Sequence, residues 1–174
     1  MYDAFVIIST ERGTKGMLFH FRSTWTIPSD LIRIWNAIGA ADRWPEWWST
    51  MEEVRVLRGP TLPVAVGSAA EYRVHSPLGY HLIFRSEVTS FDLGKWITSS
   101  IKGQLTGSGR WDFSHQHGVT AATLLWDVSV TRPVLARLAV LGPVRRAMSW
   151  AHDRVMESGE IGLRRLVQHV SAPA

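Results

Sequence analysis

One histidine sits on a face that is otherwise apolar. Val144, Met148, Ala151, His152, Val155, Gly159, Leu163, Leu166 and Val170 recur at spacings of three and four, the signature of one helix face. An imidazole in that stripe can have its charge state tuned by its surroundings. It can hydrogen-bond a ligand carbonyl or move a proton as a general acid or base. The competing reading is a core histidine satisfied by a neighbouring strand. Tyr72 reads the same two ways: a partner for a ligand hydroxyl, or a core tyrosine with its hydroxyl at the rim.

Other arrangements that could carry chemistry do not assemble. His115 and His117 are two apart in a loop and could share a metal, but no third ligand is near them in sequence, so a solvated hairpin tip is the better reading. His152 and Asp153 are adjacent and point about 100° apart on a helix, so they form no direct relay. Gly107-Ser108-Gly109 lies in a strand pattern and opens no helix, so it is not a phosphate loop. Cysteine is absent, which excludes disulfides, thiolate catalysis and cysteine metal sites. No metal and no cofactor are expected.

Those residues need elements to position them. Phe19, Phe21, Ser23, Trp25 and Ile27 alternate with polar residues as a half-buried strand, stopped by Pro28-Ser29-Asp30. Ser29 or Asp30 can cap a helix carrying Leu31, Ile34, Trp35 and Ile38, and a second short helix is expected from Ala40 to Trp47. Asp42-Arg43-Trp44-Pro45-Glu46-Trp47-Trp48 then places three tryptophans within five positions. Rings that large are either core or the wall of a site for an apolar ligand.

From residue 53 to 131 strand follows strand, broken by Gly59-Pro60, Ser76-Pro77-Leu78-Gly79, Asp92-Leu93-Gly94 and His115-Gln116-His117-Gly118. Such short links require antiparallel neighbours. On this register Arg110, Asp112 and Asp127 face outward, and a one-residue bulge would bring them inside. After Arg132-Pro133 come a short helical stretch at 134–141 and, beyond Gly142-Pro143, the long helix to about His169. Gly159 and Gly162 each cost that helix roughly 1 kcal/mol relative to alanine. They make sense where a strand or a ligand approaches closely.

The order of these motifs resembles the START-like superfamily, also called SRPBCC or helix-grip proteins, in its polyketide cyclase/dehydrase branch. The residues that carry the resemblance are the strand leading to Ile27-Pro28-Ser29-Asp30 with Ile34-Trp35, the Trp44-Pro45-Glu46-Trp47-Trp48 run, and Val66-Gly67-Ser68. Gly107-Ser108-Gly109-Arg110-Trp111, Thr123 to Val128 with Trp126, and His152 to Met156 with Gly159 and Leu163 complete it, over about residues 18 to 168. The resemblance implies an α+β fold: a curved antiparallel sheet of about six to seven strands wrapped around a long C-terminal helix, with two short helices after the first strand. It also implies an internal cavity between sheet and helix. The alternation then points Tyr72, Leu82, Phe84, Trp111 and Trp126 into it, with His152 and Met156 facing them from the helix.

At 174 residues and 45% hydrophobic content, the chain is one domain with a sizeable core. Residues 1–16 read as a loose extension before a domain spanning 17–170, with 171–174 as a tail. No signal peptide and no membrane-spanning run are evident, which points to the cytoplasm. The net charge of +4 is scattered, so a nucleic-acid surface is not favoured. Three functions fit, in this order: binding of a small hydrophobic ligand (a lipid, polyketide or other aromatic); a polyketide cyclase/dehydrase-like reaction with His152 as acid/base; a basic module for RNA or membrane.

Overall fold

The computed structural model describes residues 2–7, 18–130 and 142–169. Eight strands form one antiparallel sheet: β1 (Tyr2–Ile7), β2 (Leu18–Ile27), β3 (Met51–Arg58), β4 (Ala69–His75), β5 (His81–Asp92), β6 (Trp96–Gly103), β7 (Leu105–Gln116) and β8 (Val119–Val130). Their spatial order is β1-β2-β8-β7-β6-β5-β4-β3. From β3 to β8 each strand pairs with the next, as the short turns dictate. β2 closes onto β8, with Trp25 opposite Ala122 and Phe21 opposite Trp126.

The helices follow their sequence signals with two refinements. α1 (Leu31–Gly39) buries Ile34, Trp35 and Ile38, and Asp30 occupies its N-cap in extended conformation without a capping side-chain bond. The expected second helix is a 3-10 turn, Ala41–Arg43, followed by one helical turn, α2 (Trp44–Trp47), with Pro45 in its first turn, where no N–H is missed. α3 (Gly142–His169) is the long C-terminal helix.

Two sequence expectations change. Residues 2–7 do not hang loose: they pair with β2 from Tyr2–Ser23 to Ile7–Leu18. Without β1, the outer edge of β2 would present a row of unpaired backbone groups. The sheet thus has one strand more than the six to seven expected. The helical stretch at 134–141 and the tail at 171–174 lie outside the described residues. In β7 the register holds without a bulge, so Trp111 and Phe113 are buried while Arg110 and Asp112 face outward and pair with each other.

The core lies between the inner face of the sheet and the three helices. The outer face of β3–β5 carries alternating charges: Arg55 and Arg85 both hold Glu71, and Arg58 holds Glu87. These cations are balanced by neighbouring carboxylates and gather into no basic patch. Among the described residues, no helix is long and apolar enough to cross a membrane.

Candidate functional site

The long helix is seated on a cluster of tryptophans through its C-terminal half. Trp25, at the centre of the seat, is fully buried, with its ring 5.1 Å from Trp48, 5.0 Å from Trp111 and 6.5 Å from Trp47. Gly159 and Gly162 let α3 come down onto this cluster. A Cβ at Gly159 would lie 2.5 Å from the Trp48 ring and 2.8 Å from Trp25, and one at Gly162 only 1.7 Å from the Trp47 carbonyl oxygen. The close approach expected from these two glycines is thus made by tryptophans of β2 and α2. The Trp48 indole donates to the Val155 carbonyl at 2.9 Å, which pins α2 to α3.

Beyond the seat the helix stands off the sheet. The inner faces of β2 through β8 and the first half of α3 enclose a cavity of about 430 Å³. Seven strands can face one space of that size only if the sheet is strongly curved. The volume falls in the range of small-molecule sites, about 300–1,000 Å³.

Rings follow one another around this cavity without a break. Trp48 lies 5.1 Å from Trp44, Trp44 5.4 Å from Tyr72, and Tyr72 stacks on Phe84 at 5.2 Å. Phe84 meets Trp126 edge-on at 5.4 Å, Trp126 lies 6.1 Å from His152, and His152 stacks on Phe21 at 4.0 Å. The chain of rings therefore runs from α2 across β4, β5 and β8 to α3 and back to β2. Among the described residues that line it, none is an aspartate, glutamate, lysine or arginine.

A few polar groups interrupt this apolar wall. His152 has a side chain only 8% exposed, and neither ring nitrogen has a hydrogen-bond partner among the described residues. Its Nδ1 stands 3.5 Å from an Asp153 carboxylate oxygen, at the outer limit of contact and short of a useful hydrogen bond. Burial pushes its pKa below the ordinary histidine value, and Asp153 opposes this only in part. The imidazole is therefore neutral at pH 7, with one nitrogen a donor and the other an acceptor. The Ser68 hydroxyl is the second buried, unpartnered polar group in the lining. Burial raises the Tyr72 phenol well above its usual range, so it stays protonated and able to donate.

All seven residues expected from the sequence, Tyr72, Leu82, Phe84, Trp111, Trp126, His152 and Met156, line the cavity. Trp44 and Trp48 of the tryptophan run line it too, so the run is both core and wall: Trp47 packs against the seat, Trp44 faces the hollow, and Trp48 belongs to both. Sequence reasoning missed Phe21, Met148 and Ser68. Phe21 was legible as an inward strand position, but nothing marked it as the ring that faces His152. Ser68 lies just before β4, where no periodicity exists to assign a direction. His115 bonds Thr120 rather than sharing anything with His117.

No protein-family model matches the chain, and no curated protein is similar in sequence. Solved structures match closely in shape. The di-domain ARO/CYC BexL from the BE-7585A biosynthetic pathway superposes with a TM-score of 0.68 at 18% identity, covering 90% of this chain and 51% of its own, so the present chain spans about half of it. The Zhui aromatase/cyclase from Streptomyces sp. R1128 gives 0.70 at 14% identity, over 89% of this chain and 96% of that one. A START superfamily protein from Mycobacterium smegmatis gives 0.68 at 14% identity, over 87% and 99%. The chain therefore has the START-like, helix-grip fold.

Proposed function

We propose that this protein binds a small, flat, uncharged hydrophobic molecule, of the lipid, polyketide or other aromatic kind, in the cavity between the sheet and α3. The observation that carries this reading is the unbroken chain of rings around a space of about 430 Å³. Each 100 Å² of apolar ligand surface buried there contributes roughly 2.5 kcal/mol. His152, Ser68 and Tyr72 orient the ligand by hydrogen bonds. Among the described lining residues there is no aspartate, glutamate, lysine or arginine, which selects against ligands with an ionised group, because a buried charge without a partner is heavily penalised.

A fluorescence titration tests this. A neutral hydroxyanthraquinone should quench tryptophan emission saturably, with an affinity unchanged between low and high salt. A long-chain fatty acid carboxylate should bind more weakly. Equal or tighter binding of the carboxylate contradicts the assignment.

One observation favours a second, catalytic reading: His152 is buried, neutral and unpartnered at the cavity wall. An imidazole in that state can take a proton from a carbon acid and, as the imidazolium so formed, return it to a leaving hydroxyl, as aldol-type cyclisation and dehydration require. The BexL and Zhui proteins are named as aromatase/cyclases, and their shared fold makes that reaction class the one to assay. On this reading His152→Gln retains ligand affinity and loses turnover. Loss of both together assigns His152 to binding alone.

A further inference from the structure

We propose that Glu52, His75 and His81 form a binding site for a divalent transition-metal ion of the zinc kind at the rim of the cavity. The proposal rests on side-chain geometry outside the ring-lined hollow and stands whether or not the hollow takes a ligand. No local sequence pattern points to it, since Glu52 is 23 residues from His75 along the chain.

The backbone brings the three together. His75 closes β4, His81 opens β5, and the two are direct cross-strand partners flanking the turn at 76–80. Glu52 comes from β3, where the pairing slips between Met51 and Glu53. Met51 opposes inward-facing Val74, and Glu53 opposes outward-facing Arg73. Glu52 is the extra residue of this bulge, and bulges re-aim side chains. Its carboxylate therefore lands on the outer face beside the two histidines.

The distances fit a shared ion. The His81 Nδ1 lies 2.9 Å from Glu52 Oε2, and the His75 Nδ1 3.6 Å from Glu52 Oε1. One ligand atom from each residue falls within 4.8 Å of the others. Tetrahedral zinc with bonds of about 2.0–2.1 Å spaces its ligand atoms about 3.3 Å apart. Small rotamer adjustments therefore convert the present cluster into three ligands of one ion. Two imidazoles and a carboxylate are the ligand types that suit zinc and its neighbours rather than calcium or magnesium. The side chains are 34%, 51% and 41% exposed for Glu52, His75 and His81, so an ion can reach them and the remaining coordination positions stay open.

One neighbour opposes the ion. The Arg73 Nε donates to Glu52 Oε2 at 2.9 Å, which places a positive charge on the same carboxylate. The bound ion would tie β3 to the β4–β5 hairpin. Ser76, Tyr80 and His81 of that hairpin also line the cavity, so the ion would steady its rim.

Calorimetry with zinc and visible absorption with cobalt(II), on the full chain without an affinity tag, test the site. One ion per chain is expected. Glu52→Gln, His75→Ala and His81→Ala should each weaken binding at least about tenfold, given that even outer-shell changes cost that much at metal sites. Arg73→Gln should tighten it. Zinc should raise the melting temperature of the unmodified chain and leave that of Glu52→Gln unchanged. The proposal is overturned if zinc binds no tighter than about 1 mM, or if these three substitutions leave its affinity intact, which would place the ion elsewhere.

Discussion

The two halves of α3 meet the same sheet and do opposite things. The C-terminal half, through Gly159, Gly162 and Leu163, lies directly on Trp25, Trp47 and Trp48, and the interface is solid. The N-terminal half, through Met148, Ala151, His152 and Met156, faces a hollow. Both halves use one continuous stripe of the helix. The difference lies in what the helix meets. Where its own side chains vanish, indoles fill the gap and fix its height above the sheet. Farther along, that fixed height leaves room over the smaller or flatter inward residues Gly109, Leu124, Phe84 and Tyr72. The solid half thus holds the hollow half open.

The largest effect should come from disturbing the seat. Gly162→Ala forces a methyl group against the Trp47 carbonyl, and backbone must move to make room. Overpacking of this kind should cost about 3 kcal/mol and lower the melting temperature by roughly 10 °C. Gly159→Ala, pressed against two buried rings, should behave alike. If thermal melts show either variant as stable as the unmodified chain, the seat does not set the height of the helix.

The same kind of enlargement in the hollow half should be tolerated. Ala151→Leu adds volume on the cavity side, where there is space, and keeps helix propensity. Stability should stay within about 1 kcal/mol, while hydroxyanthraquinone affinity falls at least tenfold because the ligand's room is taken. A destabilisation matching that of Gly162→Ala would mean that this half is packed solid as well.

The smallest effect concerns acid. Burial holds the His152 pKa below its ordinary value of 6.5, so the folded chain binds fewer protons there than the unfolded chain. Stability from this group is complete above about pH 6.5 and is lost as the pH falls below it. His152→Phe should flatten that acid limb. It keeps a ring on Phe21 and removes two buried nitrogens without partners, so it should also raise stability at pH 7 by about 1 kcal/mol. Melts at pH 7.5 and pH 5 that show the same acid sensitivity in both proteins would contradict this.

Much of the solid half and part of the hollow were legible in the sequence, each for a physical reason. Period-two alternation fixed which face of β4, β5, β7 and β8 is buried, and so placed Tyr72, Phe84, Trp111 and Trp126 inward. Helical spacing placed His152 and Met156 opposite them. What stayed hidden depended on long-range geometry. The closure of β2 onto β8 brings together residues about a hundred positions apart, and no local pattern encodes it. The edge strand β1 lacks a clean alternation. The β3 bulge reverses the parity of the strand at Glu52, and that parity is the only signal a strand carries. The tryptophan run showed that something large was being covered, but only the fold separates Trp47 in the seat from Trp44 at the cavity and puts Trp48 between the two.

The central claim, a permanent hollow beside a solid seat, can be tested without knowing the ligand. Crystals pressurised with xenon should show ordered xenon in the space bounded by Phe21, Phe84, Trp126 and His152, because preformed apolar cavities take up such atoms. The region around Trp25, Gly159 and Gly162 should show none. Side chains of α3 and the sheet meeting in that space, with no xenon density between them, would contradict the account.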